Sequence, residues 1–231
     1  MLFDNPEFRN WVEPVRAAHE PAPNCAHCPR LADFRTENAV TYPAFFNRPV
    51  PAFGVGPSGR HDARLLIVGL APGLKGANRT GRPFTGDYAG DLLYPTLIKF
   101  GFAVGEYGAN PEDGLQLRDA IITNAVRCVP PANKPTPAEI RTCRQFLTSD
   151  MHVNESLCAI VALGRVAHES VLTTFGVKKS AHPFGHGAQH NLPGGLRLFD
   201  SYHCSRYNTN TGRLTPTMFE AVFEQVRTYL G

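Results

Sequence analysis

No stretch of the 231-residue chain approaches the roughly eighteen consecutive apolar residues that a membrane-spanning helix needs. The opening, MLFDNPEFRNWVEP, has no basic segment followed by an apolar one, so no secretory leader is expected, and a soluble, intracellular, cytoplasmic protein is. Excess charge is also scarce, because Lys and Arg together outnumber Asp and Glu by only three. Any polyanion must therefore be met by local clusters of side chains. Internal repeats are absent. With 42% hydrophobic residues the chain can bury one substantial core without disulfide staples. A single domain over residues 1–231 is expected, with a cysteine-bearing segment at about 21–61 packed on it.

Residues 5–19 have helical spacing of Phe8, Trp11, Val12 and Val15, and the proline-rich stretch from Pro21 to His61 is expected to be ordered loop. Four apolar runs, at 64–69, 120–126, 158–164 and 196–204, are expected to be buried strands. Helical patterns run from Gly90 to a stop at Gly101, from Thr136 with a Thr136/Glu139 capping box, from Arg165, and after the N-cap candidate Thr215. Strands alternating with helices predict a parallel sheet covered on both faces. Ligands of such sheets bind beyond the carboxyl ends of the strands. The chemistry is therefore sought in 69–90, 124–135, 164–168 and 203–213.

The segment GLAPGLKGANRTGRPFTGDYAG, residues 69–90, carries six glycines and three basic side chains immediately after the LLIV run. It fits neither G-x-x-x-x-G-K-[ST] nor G-x-G-x-x-G. A tight turn without a ligand would explain the glycines alone. The adjacent Arg79 and Arg82 can neutralise phosphates, however, and Phe84 offers a face for a base. Asn124 ends an apolar strand, where its amide could cap a turn or match the imide edge of a pyrimidine. His203 ends the fourth strand and is followed by Arg206, Tyr207, Asn208 and Arg213, a polar loop suited to a nucleic-acid backbone and a wedge between bases.

The cysteines add a separate signal. Cys25 and Cys28 form a C-x2-C pair, and Cys128 and Cys143 follow from a distant segment. Four thiolates so placed suit a closed metal site, and spacing alone leaves structural Zn and an iron–sulfur centre open. Cys158 and Cys204 are expected to be packed thiols. His182, His186 and His190 are four apart, but Pro183, Gly185 and Gly187 make a metal-binding helix improbable there.

Taken together, GLAPGLKGANRTGRPFTGD, TNAVRC and HCSRYNTNTGRLT, with cysteines so spaced, resemble the uracil-DNA glycosylase superfamily, in particular its type B (family 5) iron–sulfur members. The resemblance implies a three-layer α/β/α sandwich around a four-stranded parallel sheet, and a [4Fe–4S] cluster on Cys25, Cys28, Cys128 and Cys143. It also implies excision of uracil and other damaged bases from DNA by a monomer. Phe84 would stack on the flipped base, Asn124 read its imide edge, and His203 lie near its O2, with Asp87 as the catalytic carboxylate. Other members carry an Asp, Asn or Glu at the second or third position of GLAPG, where this chain has Leu70 and Ala71.

The implied mechanism is flipping of the base, departure of a uracil anion, and capture of an oxocarbenium-like sugar by water. No catalytic metal is expected. Lys75 has no recognisable Schiff-base context, so a monofunctional enzyme leaving an abasic site is expected. Strictly uracil-specific members place a tyrosine where Gly73 stands, and its absence predicts tolerance of C5-substituted uracils and of deaminated bases. The alternative is a nucleic-acid-binding protein that keeps the fold and cluster without the chemistry. A nucleotide hydrolase would need a phosphate signature and metal-binding carboxylates that the strand ends lack.

Overall fold

The computed structural model describes residues 20–54, 63–152 and 154–231, so the helix expected at 5–19 lies outside the described residues. The segment expected to be loop contains a helix, α1, Pro29–Thr41. Its composition hides it, since only Leu31, Arg35 and Asn38 are buried and no side chain caps its start. A proline at the first turn costs a helix no hydrogen bond, and that placement starts α1.

The four apolar runs form the strands expected of them: β1, Leu65–Gly69; β4, Ala120–Asn124; β5, Ala159–Leu163; and β7, Arg197–Ser201. Between β1 and β4 come the short helix α2, Ala77–Thr80, and α3, Tyr88–Lys99, then a small antiparallel pair, β2, Ala103–Val104, with β3, Gln116–Leu117. Helix α4, Pro137–His152, and helix α5, Arg165–Thr174, flank β5, and β6, Gln189–Asn191, precedes β7. Two last helices follow, α6, Arg206–Asn210, and α7, Pro216–Leu230.

The central sheet runs β4-β1-β5-β7-β6. Its first four strands are parallel, and the fifth, β6, pairs antiparallel with β7. The expected four-stranded sheet thus gains one edge strand. Its sequence, Gln-His-Asn, has neither apolar alternation nor β-branched residues to announce it.

Alternate residues of β1 enter different cores. Leu65 and Ile67 pack with Leu93 and Leu97 of α3 and Phe219 and Phe223 of α7, whereas Leu66 and Val68 pack with Leu147 of α4 and Val171 of α5. That is the three-layer sandwich. The capping box holds as read, Glu139 N–H donating to Thr136 Oγ1 at 3.2 Å and Thr136 N–H to Glu139 Oε2 at 2.7 Å. Thr215 caps α7 by accepting from Met218 N–H at 3.2 Å. No helix among the described residues is long and apolar enough to cross a membrane.

Candidate active site

Gly69 ends β1 directly opposite Asn124 at the end of β4, so the parallel register brings the glycine-rich loop and the amide together. A Cβ on Gly69 would collide with both Asn124 Oδ1 and the Phe84 ring, which is why the strand must end in glycine. Asn124 is 4% exposed, with its Oδ1 turned toward Gly69. It lines a small recess of about 30 Å³ together with Ala71, Gly73, Phe84, Asp87 and His203. That recess shares Ala71, Gly73, Asp87, Ala89 and His203 with a groove of about 770 Å³, bordered also by Lys75, Asn133, Arg165, Ser205 and Arg206.

Phe84 sits on the recess wall with φ of +52°, a left-handed backbone unusual for a bulky residue. Its ring centre is 5.9 Å from that of His203, inclined by 30°. Asp87 is the N-cap of α3, its Oδ1 accepting from Ala89 N–H at 3.2 Å. The other oxygen, Oδ2, faces the glycine-rich turn, where a Cβ on Gly73 would lie 2.9 Å from it and one on Gly76 would overlap it. Burial raises the Asp87 carboxyl above its ordinary range, only partly opposed by the Ala89 N–H.

His203 leaves β7 at the same sheet end. Its Nδ1 is buried without a partner among the described residues, and burial lowers the imidazole to about 4. It is therefore a neutral ring at pH 7, able to donate or accept a hydrogen bond but carrying no charge. Asn208, half-buried on α6, donates through Nδ2 to the His203 carbonyl at 2.9 Å and so buttresses the histidine. Tyr207 is 71% exposed on α6. Arg206 lies 5.5 Å over the Tyr88 ring at the groove, and Arg213 lies 4.5 Å over the Tyr202 ring.

The two loop arginines part company. Arg79 is exposed, donating through Nε to the Lys75 carbonyl at 2.8 Å and through Nη2 to the Gly86 carbonyl at 3.2 Å. Arg82, expected to meet a phosphate, is instead 4% exposed and forks onto Asp113 with two bonds of 2.7 Å. A guanidinium so enclosed cannot reach the DNA backbone, and that expectation is corrected.

Cys25, Cys28, Cys128 and Cys143 are all free and line one small cavity of about 10 Å³, packed with Leu31, Val126 and Phe146. Arg35 Nη1 donates to Cys128 Sγ at 3.0 Å, and Arg127 N–H donates to Cys143 Sγ at 3.3 Å. Burial pushes the Cys128 thiol up to about 11 and the Cys143 thiol up to about 12, so neither would be an unaided thiolate at pH 7. Cys204 is fully buried and Cys158 donates to the Ser156 carbonyl at 3.2 Å, packed thiols as expected.

Residues 182–190 form no helix, but His190 joins His168 and Asp200 in a compact buried group. His168 Nδ1 is 2.7 Å from Asp200 Oδ1, its Nε2 is 2.9 Å from the His182 carbonyl, and His190 Nε2 is 3.1 Å from Asp200 Oδ2. These are hydrogen-bond distances, and the contacts tie the 182–190 loop to α5 and β7.

The sequence profile of the uracil DNA glycosylase superfamily matches residues 57–227. A type-5 uracil-DNA glycosylase from Thermus thermophilus is 46% identical over 90% of this chain and 94% of its own length. Two further relatives with the same description, from Mycobacterium tuberculosis and Pyrobaculum aerophilum, are 43% identical over 90% of this chain and 78% of theirs, and 40% identical over 83% of both.

Proposed function

The chain belongs to the uracil DNA glycosylase superfamily, and from that premise we propose the reading the site supports best: it excises uracil from DNA, hydrolysing the N-glycosidic bond and leaving an abasic site. The observation that carries it is the convergence of Phe84, Asn124, Asp87 and His203 on one recess beside a long groove. The extruded base enters the recess and the strand lies in the groove. Phe84 covers the base, Asn124 offers an acceptor and a donor to its imide edge, and neutral His203 donates to an oxygen that gains charge as the bond breaks. Asp87 Oδ2 faces the position from which it can favour the cationic sugar or hold water. The absent carboxylate at Leu70 and Ala71 thus has a replacement from the N-terminus of α3.

The substrate range extends to C5-substituted uracils and deaminated bases, because Gly73 puts no side chain at the mouth of the recess. Arg206, Lys75 and Arg79 meet phosphates, and Tyr207 fills the space that the base vacates.

Cys25, Cys28, Cys128 and Cys143 hold a [4Fe–4S] cluster whose role is structural. All four thiols line one cavity, where Cys25 and Cys28 from one end of the chain meet Cys128 and Cys143 from a distant segment, as a shared cysteine-ligated centre requires. The N–H groups of Arg35 and Arg127 aimed at two of the sulfurs suit thiolate ligands.

The test is incubation of the purified protein, in EDTA, with a labelled duplex carrying U opposite G, followed by alkali. A cut at uracil that requires alkali supports a monofunctional, metal-independent glycosylase. Binding of the duplex without any cut would favour the non-catalytic reading.

A further inference from the structure

Arg82 is a cation only 4% exposed, and its surroundings are more elaborate than a buried charge needs. Its fork grips Asp113, its Nε donates to Thr85 Oγ1 at 2.7 Å, and its guanidinium carbon lies 5.2 Å from the Phe53 ring centre, 5.3 Å from Tyr94 and 5.9 Å from Tyr107. Asp113 in turn accepts from Gly108 N–H at 2.9 Å and Leu115 N–H at 3.0 Å, closing the turn between β2 and β3. A buried ion pair is weak evidence for stability, since a well-packed apolar replacement is often no worse. What such a pair fixes is direction.

The direction fixed here belongs to residues 83–86. The Tyr94 hydroxyl donates to the Pro83 carbonyl at 2.5 Å, and the Tyr107 hydroxyl donates to the Phe84 carbonyl at 3.3 Å while accepting from Gly86 N–H at 3.4 Å. Both tyrosines are walls of the box around Arg82, stacked on each other at 4.7 Å. The peptide groups on either side of Phe84 are thus gripped by the box that Arg82 fills. Phe84, between them, holds the left-handed backbone that bulky residues avoid and that turns its ring toward Asn124 and His203.

We infer that Arg82, forked onto Asp113 and boxed by Phe53, Tyr94 and Tyr107, is a positioning residue for catalysis that locks Phe84 in its strained backbone and so fixes the stacking ring over the flipped base. The inference rests on the proposed excision of uracil. Lysine cannot replace Arg82, because a single ammonium cannot fork onto Asp113 and reach Thr85 at once.

A double-mutant cycle read by single-turnover excision of uracil separates this role from plain structural support. Arg82→Lys is expected to slow excision about tenfold in the otherwise native chain, and by less than about threefold in Phe84→Gly, which lacks the ring and adopts positive φ freely. Tyr107→Phe, which keeps the wall of the box and loses only the hydroxyl, should follow the same pattern with a smaller first effect, and it decides the matter if Arg82→Lys does not fold. Equal fold-losses in both backgrounds would overturn the inference while leaving the excision reading intact. Absence of excision by the native chain in the same assay would overturn both.

Discussion

Asp87 and Gly73 are matched: the carboxylate oxygen that helix capping leaves free, Oδ2, faces the α-carbon of Gly73 so closely that one added methyl would stand 2.9 Å from it. The glycine therefore does two things, leaving the mouth of the recess open and leaving the Asp87 carboxylate undisturbed at its edge. Gly73→Ala should lower the single-turnover rate about tenfold with little change in thermal midpoint. A midpoint fall in proportion to the lost activity would mean that the methyl disturbs the fold instead.

Asp87→Asn separates the charge from the cap. Asparagine is as good an N-cap as aspartate, so stability should hold within about 1 kcal/mol while excision falls about a hundredfold or more. Denaturant unfolding and single-turnover kinetics on the same preparation read the two quantities. Near-native rates in Asp87→Asn would remove the carboxylate from the mechanism.

His203 predicts a pH dependence of stability. Its imidazole is held near 4 when folded, against an ordinary value near 6.5, so between those limits the unfolded chain binds the extra proton. Stability should then fall as pH drops from about 6.5 to about 4, by up to about 3 kcal/mol, and His203→Leu should remove that component. Ring nitrogen chemical shifts should report a neutral imidazole down to about pH 5, with protonation setting in only near pH 4. A positively charged ring at pH 6 would refute the assignment.

Tyr207, standing 71% clear on α6, is expected to matter only where a partner strand must be held off. Tyr207→Ala should slow excision from duplex about tenfold and leave single-stranded substrate within about twofold. Equal losses on both would make the tyrosine a general contact.

The cysteine set predicts a brown protein absorbing near ~400 nm with about four irons per chain, and Cys143→Ser should lose both colour and thermal stability. Zinc in place of iron in the purified native protein would require the smaller tetrahedral site.

The sheet and its helices were legible because Leu65–Val68, Ala120–Ile122 and Ala159–Leu163 are unbroken apolar runs, and because Thr136 and Thr215 announce their helices. Helix α1 was not, since its order comes from Cys25, Cys28 and Arg35 packed against a distant segment and not from any periodicity of its own. Among site residues, Phe84, Asp87, Asn124 and His203 converge as their positions at strand ends implied. Arg82 misled, because a basic side chain in a polar loop looks solvent-facing until Asp113, thirty-one residues on, is seen to face it. The bond from Asn208 to the His203 carbonyl carried no signal in the sequence. Asn133 was missed. It lines the groove with φ of +54°, and its place after two prolines carried no signal of that.

Helix α1 has a consequence for biosynthesis. Cys25 and Cys28 leave the ribosome more than a hundred residues ahead of Cys143, since 143 − 25 = 118, and the cavity they share closes only after α4 has been made. Until then the first pair of thiols has no partner pair and α1 has nothing to pack on. Residues 25–41, translated well before Cys143, thus complete their packing only once α4 is present, and Cys25 and Cys28 stand open to oxidants throughout that interval.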